Sequence, residues 1–221
     1  MNPRPFDLVI FDCDGVLVDS EPITNRIFAD MLRELGLNLS NEEVYERFLG
    51  RTMSDCVALV SAQLGRAPPS DFVERYHART KIALEAELKC VAGVAGVIES
   101  MQLPFCVASS GEHEKMRTTL GVTGLLPHFE GKLFSATEVA KGKPAPDLFL
   151  HAAARSRVAP SRCLVIEDSP AGVKAGIAAG MTVFGYAALT KPDVLRDAGA
   201  HRVFSSMSEL PALIDAAAGA R

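Results

Sequence analysis

The sequence predicts an α/β protein in which a doubly wound parallel sheet carries an inserted block of helices. Three observations predict this fold class: short apolar runs recur along the chain, helical patterns lie between most of them, and one long interval contains helical patterns alone. The chain has 221 residues, of which 48% are hydrophobic and 23% charged, so it can bury a sizeable core.

Runs rich in β-branched and aromatic residues identify the strands. They lie at residues 8–11, 105–108, 132–134, 164–166, 182–184 and 202–204. Continuous apolar runs of this length suit strands that are buried on both faces of a parallel sheet. Helical patterns at residues 148–154 and 171–179 alternate with the later runs. This alternation predicts a doubly wound, Rossmann-like core.

The interval between the first and second runs contains no convincing strand pattern. Apolar stripes at helical spacing begin at Ile23, Val57 and Phe72, and Ser40 with Glu43 forms a capping-box pattern. We therefore predict a four-helix cap domain at residues 21–88, and a core domain formed by residues 1–20 and 89–221. Hinges near residues 20–22 and 88–93 are expected to let the cap move over the sheet.

Composition excludes several classes of protein. The 27 acidic residues exceed the 23 basic ones, so no basic excess drives binding to nucleic acid. The five cysteines are odd in number and far apart, which argues against a secreted disulfide framework. Apolar runs are too short for a membrane span or a signal peptide. We expect a cytoplasmic monomer whose partner is a small molecule, not nucleic acid or a membrane.

Polar residues follow the predicted strands at the edge where ligands bind in open parallel sheets. They are Asp12 and Asp14 after the first run, Ser109 and Ser110 after the second, Lys143 near the third, and Glu167 and Asp168 after the fourth. Carboxylates that are brought together repel each other unless a cation holds them, and oxygen ligands favour Mg²⁺. We therefore predict a Mg²⁺ site formed by Asp12, Asp14, Glu167 and Asp168.

Asp12 and Asp14 are predicted to share the chemistry. Because a carboxylate is ionised at neutral pH without an activating base, Asp12 can attack phosphorus as a nucleophile. Asp14 lies two residues further on, on the same side of an extended segment, where it can act as acid and base. Simpler interpretations exist for single segments, since Asp14 with Gly15 is a turn signal and residues 167–170 suit a charged helix start.

The other candidate residues would bind the phosphate and the substrate. Ser109 is predicted to donate a hydrogen bond to the transferring phosphoryl group, and Lys143 to offset its charge while steadying Asp12. Ser110 and Arg51 are the predicted substrate-binding residues, with Arg51 as a contact to an anionic substrate. Arg51 belongs to the predicted cap, where charged side chains more often face water.

Taken in order, four segments resemble the motifs of the haloacid dehalogenase-like (HAD) superfamily. They are residues 11–21, 107–110, 143–147 and 166–172. The helical insertion resembles the cap of the β-phosphoglucomutase-like and sugar-phosphate phosphatase branch, and residues 132–135 are similar to those of 6-phosphogluconate phosphatases. The resemblance spans essentially the whole chain. It implies Mg²⁺, an aspartyl-phosphate intermediate and a cap that contacts the substrate.

The resemblance implies a sugar or sugar-acid phosphate as substrate, and departures from the mutase pattern favour its hydrolysis. Dehalogenases of the superfamily lack the second aspartate, so Asp14 indicates phosphoryl transfer. Thr24 stands where β-phosphoglucomutases carry a cap-hinge histidine. The mutases also have a phosphate-binding arginine on the cap after a Gly-x-Ser motif, whereas residues 50–53 of this chain place the arginine two positions earlier. A phosphomutase is the alternative. A non-catalytic phospho-acceptor domain is less favoured, because such domains are shorter and have no cap.

Overall fold

The computed structural model describes residues 5–48 and 51–218. The chain divides into two compact units. One comprises the residues up to Asp19 and from Lys89 onward, and we call it the sheet unit. The other is Ser20–Leu88, the helical unit. Gly50, which belongs to one of the departures noted above, lies outside the described residues.

Six parallel strands form one sheet within the described residues. They are β1 (Leu8–Phe11), β2 (Phe105–Ser109), β3 (Leu133–Ser135), β4 (Cys163–Glu167), β5 (Thr182–Tyr186) and β6 (Arg202–Phe204). Their order across the sheet is β3-β2-β1-β4-β5-β6. Each predicted apolar run contributes a strand, so the predicted doubly wound parallel sheet is confirmed.

The described part of the helical unit forms four helices. They are α1 (Glu21–Glu34), α2 (Asn41–Phe48), α3 (Met53–Leu64) and α4 (Phe72–Glu87). The capping-box pattern before α2 is formed, because the Ser40 amide donates to the Glu43 carboxylate at 2.8 Å and the Glu43 amide donates to Ser40 Oγ at 3.1 Å. The ring of Phe28 packs against those of Phe48, Phe72 and Tyr76, which ties three of the helices into one apolar core.

Helices cover both faces of the sheet. They are α5 (Val94–Ser100), α6 (His113–Val122), α7 (Leu126–Phe129), α8 (Asp147–Arg155), α9 (Pro170–Ala178), α10 (Pro192–Asp197) and α11 (Leu210–Ala218). On one face Ile10 and Val165 pack with Phe149 of α8. On the other, the ring of Phe105 contacts that of Phe129 of α7, at 5.2 Å between centroids. Burial on both faces explains why the strands read as continuous apolar runs. Across the described ranges, no helix combines the length and apolar character that crossing a membrane requires.

The position of β1 determines where the polar residues meet. It lies between β2 and β4, with Phe11 opposite Val107 on one side and Ile166 on the other. The Asp12 amide continues this ladder by donating to the Ile166 carbonyl at 3.0 Å. The strand order reverses around β1, and this is the point at which open α/β sheets bind ligands.

Candidate active site

A buried cluster of charges joins the ends of β1 and β4. Lys143 Nζ donates to Asp12 Oδ1 at 2.5 Å, to Glu167 Oε1 at 2.6 Å and to the Ala108 carbonyl at 3.1 Å. The Lys143 and Glu167 side chains are only 5% and 1% exposed. The ammonium also lies over the ring of Phe149, 5.0 Å from its centroid. We call Asp12, Lys143 and Glu167 the buried trio.

Burial and charge oppose each other inside this trio. Burial raises the pKa of Asp12 to about 7, with the Lys143 ammonium acting against the rise and the Glu167 carboxylate adding to it. Burial alone would lower the pKa of Lys143, but the two carboxylates outweigh it and hold that pKa above its ordinary value. One ammonium faces two carboxylates, so the trio favours a further positive partner, either a proton or a cation.

Glu167 is fixed from behind by the start of α9. Its Oε2 accepts hydrogen bonds from the Ser169 amide and hydroxyl, both at 2.9 Å. A Cβ built on Gly172 would lie 1.7 Å from Glu167 Oε1, so only glycine leaves room for this carboxylate. Glu167 is predicted above as a Mg²⁺ ligand. In the structure Lys143 bonds to one of its oxygens and Ser169 to the other, so Glu167 anchors the lysine. A contact of Glu167 with Mg²⁺ stays a prediction.

Asp168 lies against the turn that carries the two other aspartates. Gly15 has a φ of +77°, and its amide donates to the Val18 carbonyl at 2.8 Å. A Cβ on Gly15 would lie 2.1 Å from Asp168 Oδ2, which shows how closely that carboxylate approaches the backbone. Asp14 and Gly15 therefore do form a tight turn, as the simpler interpretation proposes. The turn also brings the Asp168 carboxylate close to the backbone that follows Asp12 and Asp14.

Three side chains surround Gly111, just beyond β2. A Cβ built there would lie 3.4 Å from Ser109 Oγ, 3.5 Å from Lys115 Cδ and 4.0 Å from Asp14 Oδ2. Ser109 is buried and accepts a hydrogen bond from the Gly111 amide at 3.0 Å. Lys115 Nζ donates to Asp14 Oδ2 at 2.7 Å, and these two side chains are 42% and 24% exposed. We call Asp14 and Lys115 the half-exposed pair.

The donors at this turn fit a hard cation. Asp12 and Asp168 offer carboxylate oxygens and Asp14 a backbone carbonyl, which is the oxygen-only chemistry that Mg²⁺ prefers. The space that a Cβ on Gly15 would fill is taken by the Asp168 carboxylate. Within residues 5–48 and 51–218, no group of three or more His, Cys, Asp or Glu side chains is arranged to hold a metal ion. Mg²⁺ in proteins usually keeps several waters beside one or two carboxylates.

The structure locates two further candidates without testing their roles. Ser110 directly follows β2 and is exposed. Arg51 lies in the helical unit, is exposed, and donates from Nε to the Arg47 carbonyl at 2.7 Å. Their contacts with a substrate stay predictions.

Lys115 is the charged neighbour that sequence reasoning missed. The predicted site residues at the sheet edge follow strands closely in sequence or lie near one, whereas Lys115 lies in the first turn of α6. A signal was present, because the helix dipole disfavours a cation in the first turn, so a lysine there calls for an acidic partner. The sequence does not show that this partner is Asp14.

Comparison with known proteins identifies the family. A family model described as haloacid dehalogenase-like hydrolase matches residues 6–180, which include β1 to β4 and the whole of the site described above. The chain belongs to the haloacid dehalogenase-like hydrolase family. The resemblance drawn from the four sequence motifs is thereby confirmed.

Individual HAD proteins match the chain along nearly all its length. The 6-phosphogluconate phosphatase of Escherichia coli (strain K12) is 36% identical over 214 residues, which are 94% of each chain. A conserved HAD-like protein of unknown function from Agrobacterium tumefaciens has a TM-score of 0.89 and 37% identity, covering 96% of this chain and 98% of its own. A HAD family hydrolase from Deinococcus radiodurans, solved with bound phosphate and sodium, has a TM-score of 0.86 and 33% identity, covering 97% of each chain. The predicted enzyme class, a phosphoric monoester hydrolase, is confirmed.

Proposed function

We propose that this chain is a Mg²⁺-dependent phosphatase that hydrolyses a small sugar or sugar-acid phosphate through an aspartyl phosphate on Asp12. The main support is the buried trio. There Lys143, which Glu167 anchors, donates a hydrogen bond to one carboxylate oxygen of Asp12 at the end of β1. The similarity to a 6-phosphogluconate phosphatase supports the substrate class. The phosphate bound in the relative from Deinococcus radiodurans supports phosphate as the group recognised.

In the first half of the reaction, a carboxylate oxygen of Asp12 attacks phosphorus and the bond from phosphorus to the ester oxygen breaks. Asp14 gives its proton to the departing alkoxide. Ser109 donates a hydrogen bond to the phosphoryl group, with Ser110 as a second donor, and Lys143 offsets the charge while it fixes Asp12. The product alcohol leaves and the phosphoryl group stays on Asp12.

In the second half, Asp14 takes a proton from water, and the resulting hydroxide attacks phosphorus of the aspartyl phosphate. Inorganic phosphate leaves, Asp12 returns as a carboxylate, and Asp14 carries the proton for the next cycle. Asp12, Asp168 and the backbone carbonyl of Asp14 are the residues that would hold Mg²⁺. When bound, the ion supplies positive charge to the phosphoryl oxygens.

Phosphate release from a panel of phosphorylated sugar acids, sugar alcohols and sugars tests the proposal. We expect release to require Mg²⁺, to stop with EDTA, and to fall by at least about a thousandfold in Asp12→Asn. Asp193→Asn is the matched control, because that carboxylate lies on the surface with its side chain 88% exposed. Activity that survives in Asp12→Asn would contradict the assignment of the nucleophile.

The same panel separates the alternatives. β-Glucose 1-phosphate is included, and its conversion to the 6-phosphate without phosphate release would identify a phosphomutase. Thr24 favours hydrolysis, since this residue replaces the histidine of the mutases and its hydroxyl donates to the Glu21 carbonyl of its own helix at 3.1 Å. A lasting aspartyl phosphate without turnover would identify a phospho-acceptor domain.

A further inference from the structure

We propose that Lys115 is a positioning residue that holds the Asp14 carboxylate in the orientation required for proton transfer. The inference rests on the proposed function, because it takes Asp14 to be the acid and base of that reaction. It is drawn from the half-exposed pair, in which Lys115 Nζ and Asp14 Oδ2 are 2.7 Å apart.

The lysine packs beside Gly111, in the loop that follows β2. Lys115 reaches Asp14 from the first turn of α6, and its Cδ lies 3.5 Å from the point where a Cβ of Gly111 would be. Ser109 Oγ is 3.4 Å from the same point. The lysine therefore meets Asp14 beside the hydroxyl that is proposed to bind the phosphoryl group.

Charge balance supports a separate lysine for each aspartate. Asp12 and Asp14 repel each other, and the charge of Asp14 is one of the influences that raise the pKa of Asp12. Lys143 pairs with Asp12 and Lys115 pairs with Asp14. Burial alone would lower the pKa of Lys115, but the charge of Asp14 and its hydrogen bond act against burial, and the pKa lies above its ordinary value. An ion pair of this kind orients the carboxylate as well as neutralising it.

Displacement of Asp14, the proposed acid, changes how kcat/KM depends on the leaving group, whereas a general loss of structure lowers kcat/KM for all esters alike. A sugar-type alkoxide needs a proton as it leaves, whereas 4-nitrophenolate leaves without one. The ratio kcat/KM reports the reaction up to departure of the leaving group, so it is the quantity to compare across esters. A displaced Asp14 lowers kcat/KM for alkyl phosphates much more than for 4-nitrophenyl phosphate.

The experiment measures kcat/KM for 4-nitrophenyl, phenyl and alkyl phosphates in the full chain with Mg²⁺. We expect Lys115→Met to lose at least about tenfold on alkyl phosphates and less than about threefold on 4-nitrophenyl phosphate. Lys115→Arg keeps a cation beside Asp14 and is expected to recover most of the loss. Lys174→Met, at an exposed lysine of α9, is the matched control and is expected to behave as the wild type.

Asp14→Asn separates failure of this inference from failure of the proposed function. If Asp14→Asn loses the same factor on every ester, Asp14 is not the acid and the proposed mechanism fails together with the inference. If Asp14→Asn discriminates between esters while Lys115→Met lowers all of them equally, only the role of Lys115 is overturned. In the double variant, we expect no further selective loss beyond that of Asp14→Asn, and independent additive losses would also overturn it.

Discussion

The buried trio and the half-exposed pair place a lysine on each of two aspartates of one turn, but in different surroundings. Lys143 is 5% exposed, contacts two carboxylates and a carbonyl, and lies over an aromatic ring. Lys115 is 42% exposed, and its ammonium bonds to Asp14. The same chemical pairing is therefore part of the core in one case and borders water in the other.

This difference separates stability from function. Removing one member of a buried ion pair leaves an uncompensated charge in a medium that solvates it poorly. Removing one member of the half-exposed pair leaves a charge that water can partly solvate and salt can screen. We infer that Lys143 contributes to folding as well as to activity, whereas Lys115 acts almost entirely on activity.

The largest expected effect is on folding and comes from Lys143→Met. We expect it to lower the free energy of unfolding by about 3–5 kcal/mol, because Asp12 and Glu167 then face each other without a cation. Lys115→Met is expected to cost only about 0–1 kcal/mol. Urea unfolding of both variants in the same buffer measures the difference. Equal losses would contradict the distinction between the two regions.

The pH dependence of stability tests the trio directly. The pKa of Asp12 in the folded chain, about 7, is above its usual value of 3.8, so between these values the folded state binds more protons than the unfolded state. Stability due to this group is then present at low pH and is lost as pH rises toward about 7. The slope is at most about 1.4 kcal/mol per pH unit.

Asp12→Asn is the control for this titration, because an amide does not ionise. With EDTA present, we expect the Tm of the wild type to fall relative to that of Asp12→Asn between pH 5 and pH 7. Above pH 7 the difference between the two Tm values should stay constant, because Asp12 is then ionised in both the folded and the unfolded state. Parallel curves over the whole range would show that Asp12 is ionised throughout.

The sequence predicts the trio better than the pair, for a physical reason. Asp12 and Glu167 lie at strand ends, where sheet topology alone brings them together, and Lys143 is predicted to steady Asp12. Lys115 reaches the site from a helix, so its position depends on how α6 packs. No strand pattern specifies that packing.

Strand positions were predictable because burial on both faces imposes continuous apolar runs. The separate roles of neighbouring carboxylates could not be predicted in the same way. Glu167 and Asp168 are adjacent and chemically similar, yet one anchors a lysine and the other lies against the turn at Gly15. What separates them is the room that Gly172 leaves and the hydrogen bonds of Ser169, which depend on the three-dimensional start of α9.

A smaller effect is expected from filling the space behind the trio. In Gly172→Ala the new methyl would collide with Glu167, so the carboxylate must move and its contact with Lys143 is lost. We expect a cost of about 1–3 kcal/mol and a clear loss of kcat. Gly96→Ala in α5 is the matched control, because a Cβ built there meets no atom within 4 Å beyond its chain neighbours and its own helix backbone. There alanine is expected to stabilise the helix by up to about 1 kcal/mol. If the two alanines behaved alike, Glu167 would not need the space at Gly172.

Ser169→Ala should have the smallest effect on stability while still affecting the site. The serine caps α9 by accepting from the Gly172 amide at 3.0 Å, and its hydroxyl also donates to Glu167. Thr52→Ala removes a cap of the same kind from α3, where the partner is the Asp55 amide at 3.1 Å and Glu167 is not involved. Both substitutions are expected to cost about 1 kcal/mol in urea unfolding. Only Ser169→Ala should also lower kcat, by up to about tenfold, because Glu167 then holds Lys143 less firmly. If kcat were unchanged in Ser169→Ala, the Ser169 hydroxyl would stabilise only the start of α9. The position of Lys143 would then depend on its contacts with Asp12 and the Ala108 carbonyl, and not on the hydrogen bond from Ser169 to Glu167.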